Sequence, residues 1–302
     1  FLLDYFMATK NFEKKSICIG VAGDSASGKD TFADAVIQLL GSEAVTVLSG
    51  DNYHFWDREK PAWEVVTHLN PMANDLSRYA RDLAALAAGD SVEVHEYDHS
   101  LGRSSGFSVI EARQIIVAQG LHALYSVEMR SQYDLQIYLD VDEDIRRKFK
   151  IKRDVRERGY QLDKVIATFE RREADSIDFV RPQAQYADVV FSIRSDNFEA
   201  LGRDSCEEDL SLYLEVKKKN KRYSEDLTAN LENVCKLDIS QDLVDGTPIL
   251  RIRGALTEAS LSEAAANLCP KALNLTRYSP LWKNDIVGLI QLITLYEIEH
   301  LI

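Results

Sequence analysis

The feature that most constrains the fold of this chain is a short glycine-containing loop near its start. The segment Gly23-Asp24-Ser25-Ala26-Ser27-Gly28-Lys29 follows an apolar run at 17–22 and precedes residues 31–40, which have apolar side chains at helical spacing. Glycines let successive backbone N–H groups converge on phosphate oxygens, and the start of a helix adds its positive dipole. The pattern GxxxxGK between a strand and a helix therefore predicts a phosphate-binding loop. The alternative is an ordinary strand-to-helix turn followed by a surface lysine.

The rest of the first 200 residues alternates between apolar runs and helical patterns. Strands are predicted at 44–48, 114–118, 135–141 and 187–193, and helices at 75–88, 145–158 and 162–178. Continuous apolar strands between helices are typical of a parallel sheet covered by helices on both faces. We therefore predict an α/β fold with a mostly parallel sheet and a ligand site outside the carboxyl ends of the strands.

The chain divides into three segments by its pattern. We expect an N-terminal tail at 1–15, a core with a lid at 16–200, and a C-terminal α+β extension at 201–302. The extension begins with an acidic stretch and predicts strands at 210–216 and 248–252 and helices at 256–268 and 285–301. It is either a continuation of the core or a small second lobe. Because the last helix is apolar over much of its surface, we expect it to pack on the core or on a partner subunit, which favours a homodimer.

Composition excludes several classes of function. The chain has 302 residues, with 36 basic against 49 acidic side chains and a formal charge of −13. This acidic surplus argues against broad binding to nucleic acids or anionic membranes, because either needs a basic face. No run reaches the roughly 20 apolar residues of a membrane span. The four cysteines have no CxxC spacing, so neither a zinc site nor a disulfide framework is indicated, and a cytoplasmic protein fits best.

A carboxylate follows the second predicted strand. Asp51 comes directly after residues 44–50 and is followed by Asn52-Tyr53-His54. In a parallel sheet this position lies near the phosphate loop, where a carboxylate can accept the proton of an attacking hydroxyl group. Asp51 is therefore a candidate general base.

The predicted helix at 145–158 is strongly basic. Between Arg146 and Arg158 there are eight basic residues and two acidic ones. At about 100° per residue, Lys150, Arg153, Asp154 and Arg158 fall within roughly 140° of one another, so they can face one site. The alternatives are a solvated helix face and a nucleic-acid patch, and the net charge makes the patch unfavourable.

Taken together, these segments resemble the phosphoribulokinase/uridine kinase family of P-loop kinases, and most closely its phosphoribulokinase branch. The residues that carry the resemblance keep the family's order over about residues 17–193. They are GDSASGK at 23–29, DNYHFWDR at 51–58, THLNPMAN at 67–74, YDH at 97–99, GLH at 120–122, KIKRD at 150–154 with ERG at 157–159, and QYADVV at 185–190. A weaker likeness continues at 288–300. Uridine kinases share the Asp and a nearby Tyr but not the His-and-Arg spacing that follows.

The resemblance implies a kinase that uses Mg²⁺ and ATP and transfers the γ-phosphoryl group to a hydroxyl of a small sugar phosphate, with D-ribulose 5-phosphate as the first acceptor to consider. It implies catalytic roles for Asp51, Lys29, Arg153 and Asp154. The residues implied in ATP binding are Gly23, Asp24, Ser25, Ala26, Ser27, Gly28, Lys29, Asp30 and Thr31. Those implied in substrate binding are His54, Arg58, Tyr97, His99, Lys150 and Arg158.

Simpler roles remain open for some of these residues. His54 is also compatible with a packed core histidine, Arg58 with a surface ion pair, and residues 97–99 with an ordinary turn. For the whole chain, the alternatives are a uridine or other nucleoside kinase, a kinase of another sugar or polyol phosphate, and a nucleotide-binding regulatory protein with weak catalysis.

Two positions depart from the family pattern. Asp30 occupies the place of the usual Ser or Thr after the loop lysine, and Gln119 occupies the place of a Glu that serves the metal. A carboxylate is a good Mg²⁺ ligand. We therefore expect that the acidic group beside Mg²⁺ has moved from position 119 to position 30, with both residues near the metal, directly or through water. The competing interpretation is a weakened kinase.

Overall fold

The computed structural model describes residues 16–57, 66–98, 102–157, 159–197, 210–219, 223–244, 246–275 and 278–302. The strands in chain order are β1 Ile17–Gly23, β2 Val45–Ser49, β3 Val92–Asp98, β4 Arg103–Ile110, β5 Ile115–Gly120, β6 Leu135–Val141, β7 Val189–Ser195, β8 Leu212–Lys218, β9 Asp238–Val244 and β10 Thr247–Arg253. The helices are α1 Lys29–Leu40, α2 Leu76–Ala88, α3 Val127–Arg130, α4 Glu143–Ile151, α5 Leu162–Asp175, α6 Glu225–Asn233, α7 Glu258–Leu268, α8 Pro270–Leu273 and α9 Ile286–Glu299. The tail predicted at 1–15 lies outside the described residues.

Most strands join one large sheet. Within the described residues its eight strands have the order β2-β5-β1-β6-β7-β8-β10-β9. The neighbouring strands β2, β5, β1, β6 and β7 pair in parallel, so their carboxyl ends lie at one edge of the sheet. β3 and β4 form a separate antiparallel hairpin. The predicted α/β fold with a mostly parallel sheet is confirmed.

The central strand β1 explains why helices cover both faces of the sheet. Successive side chains of a strand point to opposite faces. Ile19 and Val21 accordingly belong to one apolar cluster, which includes α1 and α9, whereas Cys18 and Ala22 belong to a second cluster, which includes α2. Both clusters exclude water from β1, so this strand is apolar along its whole length, as parallel strands buried on both faces are.

The C-terminal part continues the sheet. β8 pairs with β7 in antiparallel register, β10 pairs with β8, and β9 pairs with β10. Leu214 and Leu250 of these strands lie in the same apolar cluster as Phe191 of β7. These strands therefore belong to the same sheet as the core strands, and the division of the chain into three segments stays a prediction. The predicted boundary near residue 200 lies in 198–209, outside the described residues.

The last helix, α9, is covered by its own chain. It contacts α1 and α7, and the Gln291 side chain donates from Nε2 to the Ala35 carbonyl oxygen at 2.8 Å. A Cβ added at Gly288 would lie 1.9 Å from the Lys283 carbonyl oxygen, so only glycine permits this approach. Because intrachain packing accounts for the apolar surface of α9, that surface no longer argues for a dimer, and the homodimer stays a prediction.

Several elements differ from the sequence prediction. The helix predicted at 145–158 is α-helical only to Ile151 and continues as a π-helical segment, Lys152–Glu157. The helix predicted at 162–178 changes to a π-helical segment at Ser176–Val180. The β3–β4 hairpin, α6 and β9 have no counterpart in the prediction, because their mixed polar and apolar residues give no clear period. None of the helices in the described ranges has the length and apolar character needed to cross a bilayer.

Candidate active site

The predicted phosphate loop contains two residues with left-handed backbone conformations. Ala26 and Gly28 have φ values of 66° and 91°, in the left-handed region, and Gly28 caps α1. A Cβ added at Gly23 would lie 2.4 Å from Ser27 Oγ, so the chain requires glycine there. Lys29 Nζ donates to the carbonyl oxygens of Gly23 at 2.9 Å and Asp24 at 2.8 Å. The loop thus curves around the lysine ammonium group.

The charge of Lys29 is only partly compensated. Burial lowers the pKa of Lys29 below its ordinary value, while Asp30, Asp51 and Asp24 act in the opposite direction. A dianionic phosphate placed at this ammonium would supply the missing negative charge. The net effect of the site therefore favours an anionic ligand.

The Asp24 side chain joins the phosphate loop to two other segments of the chain. Its carboxylate accepts the Ser25 N–H at 2.6 Å and the Ser176 hydroxyl, and it lies 3.3 Å from a guanidinium nitrogen of Arg146. The side chain is 6 % exposed. Asp24 therefore fixes the loop to α4 and to the segment after α5, and only its carbonyl group faces Lys29.

Asp51 lies directly after β2, in a 3₁₀ turn at Gly50–Tyr53. The turn starts where Gly50 approaches the backbone of Gly120 so closely that a Cβ at Gly120 would lie 3.0 Å from the Gly50 Cα. The Asp51 carboxylate lies 3.5 Å from His54 Nε2. The ends of β2 and β5 thus hold the candidate base at the edge that also carries the phosphate loop.

His54 belongs to a chain of hydrogen bonds next to Asp51. The Asn74 side-chain amide donates to the carbonyl oxygens of His68 at 3.1 Å and Asn70 at 2.9 Å, which fixes its orientation. Its oxygen therefore accepts from His54 Nδ1 at 2.6 Å. His54 Nε2 lies 3.2 Å from His68 Nδ1. Asn74 thus fixes the orientation of the His54 ring, and Nε2 faces the candidate base Asp51.

The structure brings Tyr97 to the same histidine. The Tyr97 ring packs edge-on against the His54 ring with 5.3 Å between centroids, and its N–H donates to Asn52 Oδ1 at 3.0 Å. Three other predicted site residues, Arg58, His99 and Arg158, lie outside the described residues.

The two positions that depart from the family pattern are in direct contact. Gln119, at the end of β5, donates from Nε2 to Asp30 Oδ1 at 2.9 Å and to Ser49 Oγ at 3.3 Å. Gln119 is buried, whereas Asp30 is exposed. The carboxylate gained at 30 therefore lies beside the position where the carboxylate was lost.

The basic segment, which comprises α4 and the π-helical residues Lys152–Glu157, contacts the phosphate loop. Lys150 Nζ lies 3.5 Å from Ser25 Oγ and 4.6 Å from the centre of the Phe169 ring. Burial and the neighbouring Arg172 lower the pKa of Lys150 to about 7. Arg153 donates from Nε to Asp154 at 2.9 Å. Lys150, predicted to bind the acceptor, thus lies at the phosphate loop.

A cavity of about 820 Å³ joins these groups. Its lining includes residues 25–31 of the loop and α1, the acceptor-side residues Asp51 and His54, Gln119, and the basic segment with Lys150, Arg153 and Asp154. Gly23, Asp24 and Tyr97 are not among the residues that line it. The cavity places a candidate base, a phosphate loop and a cationic cover around one space.

Comparison with known proteins assigns the core of the chain to a family. The model of the family described as "Phosphoribulokinase / Uridine kinase family" matches residues 18–200. The chain belongs to this family.

Individual relatives cover different shares of the chain. The phosphoribulokinase of Synechocystis sp. is 36% identical over 177 residues, which are 59% of this chain and 53% of that protein. The chloroplastic phosphoribulokinase of Spinacia oleracea is 33% identical over 198 residues, or 60% of this chain and 49% of that protein. The chain thus spans about half the length of these curated relatives. The uridine kinase of Deinococcus deserti is 34% identical over 187 residues, or 61% of this chain and 90% of that protein.

A solved structure extends the likeness of fold beyond the family match. The phosphoribulokinase from Rhodobacter spheroides superposes with a TM-score of 0.60 at 16% identity, over 87% of this chain and 96% of that chain. At this identity the likeness concerns the fold. It includes a large share of the C-terminal part, which the family model leaves unmatched.

The structure also adds site residues that the sequence analysis did not single out. Thr67, His68 and Arg172 line the cavity, and Arg146 joins the loop to α4 by donating to the Ser25 carbonyl oxygen at 3.1 Å. The block at 67–74 pointed to this region, but not to which of its side chains faces the site. Arg146 lay within the basic helix, yet its burial against Asp24 depends on a contact between distant segments.

Proposed function

We propose that the protein is an ATP-dependent kinase that transfers the γ-phosphoryl group to a hydroxyl group of a small sugar phosphate. D-Ribulose 5-phosphate is the acceptor we place first. The observation that carries the proposal is that Asp51 and Lys29 line one cavity, where the charge of Asp51 acts on the pKa of Lys29. A base and a phosphate-binding cation around one space are the parts that phosphoryl transfer to an alcohol requires.

The proposed roles follow from position. The backbone amides of the loop and Lys29 hold the β- and γ-phosphates, and Asp51 accepts the proton of the attacking hydroxyl. The covering segment, with Lys150, Arg153 and Asp154, excludes water, and its cations balance the charge that spreads over the transferring group.

We place the acceptor on the side of Asp51 where His54 lies. His54, fixed by Asn74 and His68, lies there with Tyr97 against its ring. Arg58, His99 and Arg158 complete this set in the proposal, on the strength of the family pattern. Held in this way beside Asp51, His54 forms the wall that we assign to the acceptor.

The residues around Asp30 fit the Mg²⁺ that this family of kinases implies. Mg²⁺ prefers oxygen ligands, and the Gln119 amide lies within hydrogen-bonding distance of both the Asp30 carboxylate and the Ser49 hydroxyl. When bound, Mg²⁺ neutralises charge on the β- and γ-phosphates. We assign Asp30 to hold the ion directly and Gln119 to hold Asp30 in place or to bind a metal-bound water.

Three other functions remain candidates. A uridine-type nucleoside kinase is supported by the match to the Deinococcus deserti protein over 90% of its length, and a kinase of another sugar or polyol phosphate needs the same machinery. A weakly catalytic regulatory protein would use the nucleotide site alone. In each case we expect a small-molecule ligand, no nucleic-acid or membrane partner, a homodimer and a cytoplasmic location.

Coupled measurement of ADP release distinguishes these functions. Ribulose 5-phosphate, ribose 5-phosphate and uridine are supplied in turn with MgATP, and the Asp51→Asn variant gives the background. Turnover that depends on ribulose 5-phosphate and falls to background in the variant is the expected result. Turnover with uridine alone would replace the proposal by a nucleoside kinase, and tight ATP binding without any turnover would replace it by the regulatory function.

A further inference from the structure

The cavity extends past the phosphate loop, away from the acceptor side. Strand order separates the two ends, because β2 and β5 lie on one side of β1 and β6, β7 and β8 lie on the other. Asp51 and Gln119 belong to the first side. The second side of the cavity is lined by residues at the carboxyl ends of β6 and β7 and at the start of β8. A ligand whose phosphates bind the loop therefore has room on the side opposite the acceptor.

This second end is apolar. Leu139, Val141, Phe191 and Ile193 line it from the central sheet, and four residues of the C-terminal part complete it. These four are Leu212, Ile286, Val287 and Ile290. The family model ends at residue 200, so the C-terminal wall comes entirely from outside the matched segment.

Charge separates the two regions of the cavity. Among the lining residues that the structure describes, every lysine and arginine belongs to the loop, to α4 and the segment after it, or to α5. The charged groups at the apolar end are carboxylates with structural partners. Asp140 pairs with Arg194, and Asp285 caps α9 by accepting the Val287 N–H at 2.8 Å. This end thus suits an uncharged, flat group attached to a polyphosphate.

The C-terminal wall is held rigidly. The Asp285 cap fixes the first turn of α9, Gly288 packs against the Lys283 carbonyl, and Gln291 bridges α1 and the segment before α9. Ile286 and Val287 are half-buried, so part of each side chain remains open to the cavity. These contacts hold the wall in the position in which Ile286 and Val287 line the cavity.

We infer that the C-terminal part completes the pocket for the nucleobase of the phosphoryl donor, with Ile286 and Val287 as its contact surface. The inference rests on the proposed use of ATP. It gives residues 201–302 a role in donor binding in addition to their role in the sheet.

Binding measurements test this inference without relying on turnover. The full chain and its Ile286→Ala and Val287→Ala variants are titrated by calorimetry with MgADP, MgATP and inorganic tripolyphosphate. Each buried methylene-sized group contributes roughly a fourfold change in affinity. The substitutions remove three such groups from Ile286 and two from Val287, and both side chains are already half-buried without ligand, so about half of each contribution depends on the nucleotide. We therefore expect about tenfold weaker binding of both nucleotides to Ile286→Ala and about fourfold to Val287→Ala. Tripolyphosphate affinity should be unchanged in both.

A matched control separates base contact from helix stability. Ile293, on the same helix, is buried but does not line the cavity, so Ile293→Ala should lower the melting temperature and leave nucleotide affinity unchanged. The inference is overturned if the test variants lose affinity for tripolyphosphate as much as for nucleotides, or if both keep the nucleotide affinity of the unsubstituted chain. It is also overturned if Ile293→Ala loses as much nucleotide affinity as the test variants. If the unsubstituted chain binds tripolyphosphate but gains nothing from the nucleoside, the inference fails too. If it binds no phosphate compound at all, the proposed function fails first.

Discussion

The contact between Gln119 and Asp30 allows a strict test of the proposed metal site. Replacing Gln119 by Glu removes the hydrogen bond from Nε2 to Asp30 Oδ1, which is 2.9 Å long, and puts a second carboxylate in its place. Replacing Asp30 by Ser removes the first carboxylate. The double variant returns the site to one carboxylate, on the β5 side, as in the family pattern.

The magnitude follows from the geometry. Two unit charges about 4 Å apart repel by roughly 1 kcal/mol in water and roughly 4 kcal/mol at an effective dielectric constant of about 20. Asp30 is exposed and Gln119 is buried, so we take a value of about 2 kcal/mol. Gln119→Glu should therefore lose about 2 kcal/mol of unfolding free energy near pH 7.5 without metal, and the pKa of the introduced carboxyl should rise by about 1.5 units. Lowering the pH to about 5 should recover part of the loss, because protonation removes the repulsion.

Urea unfolding with and without Mg²⁺, together with calorimetric titration of ADP over a range of Mg²⁺ concentrations, measures these effects. We expect Mg²⁺ to restore the stability of Gln119→Glu, Asp30→Ser to lose the Mg²⁺ dependence of ADP binding, and the double variant to regain it. Asp34, exposed on the same helix and outside the cavity, supplies the matched control Asp34→Ser.

Either of two results would contradict the proposed metal site. If Asp30→Ser leaves the metal dependence of ADP binding unchanged, the acidic ligand has not moved to position 30. If the unfolding free energies of the single substitutions add to that of the double variant within about 0.5 kcal/mol, the two side chains do not interact as their contact implies.

Three further outcomes are expected. Asp51→Asn should lower kcat by about 10²- to 10⁴-fold while the calorimetric Kd for ATP stays within twofold, since a general base acts on the acceptor; equal loss in both quantities would contradict that role. The pKa of Lys150 is lowered to about 7, and bound phosphates should raise this pKa again, so ATP binding should take up about 0.5 proton at pH 7 and less at pH 6. Calorimetry in buffers of different ionisation enthalpy measures this uptake, and the same uptake in Lys150→Met would exclude Lys150 as its source. Gly288→Ala should lower the unfolding free energy by about 2 kcal/mol and the melting temperature by a few degrees, because the new Cβ would meet the Lys283 carbonyl. An unchanged melting temperature would contradict this packing.

The sequence by itself determined the local parts of the site. The phosphate loop could be read from residues 23–29 because a strand, a turn and a helix start are contiguous in the chain, and Gly28 has the left-handed φ that glycine adopts without strain, although Ala26 shares that region. The position of Asp51 could also be inferred, since the end of any parallel strand lies at the same edge of the sheet. The departures at 30 and 119 were visible as single residues that differ from a known pattern.

Only the tertiary structure decided which distant groups meet. Gln119 and Asp30 are 89 positions apart, and their hydrogen bond exists because β5 lies next to β1 in the sheet. The partners of Asp24 come from α4 and from the segment after α5, and the apolar end of the cavity requires α9 to pack on α1. Apolar spacing fixes which face of a strand or helix is buried but carries no information on which element covers it. Strand order and long-range packing therefore determined the composition of this site, whereas the chemistry of its phosphate loop was already present in seven consecutive residues.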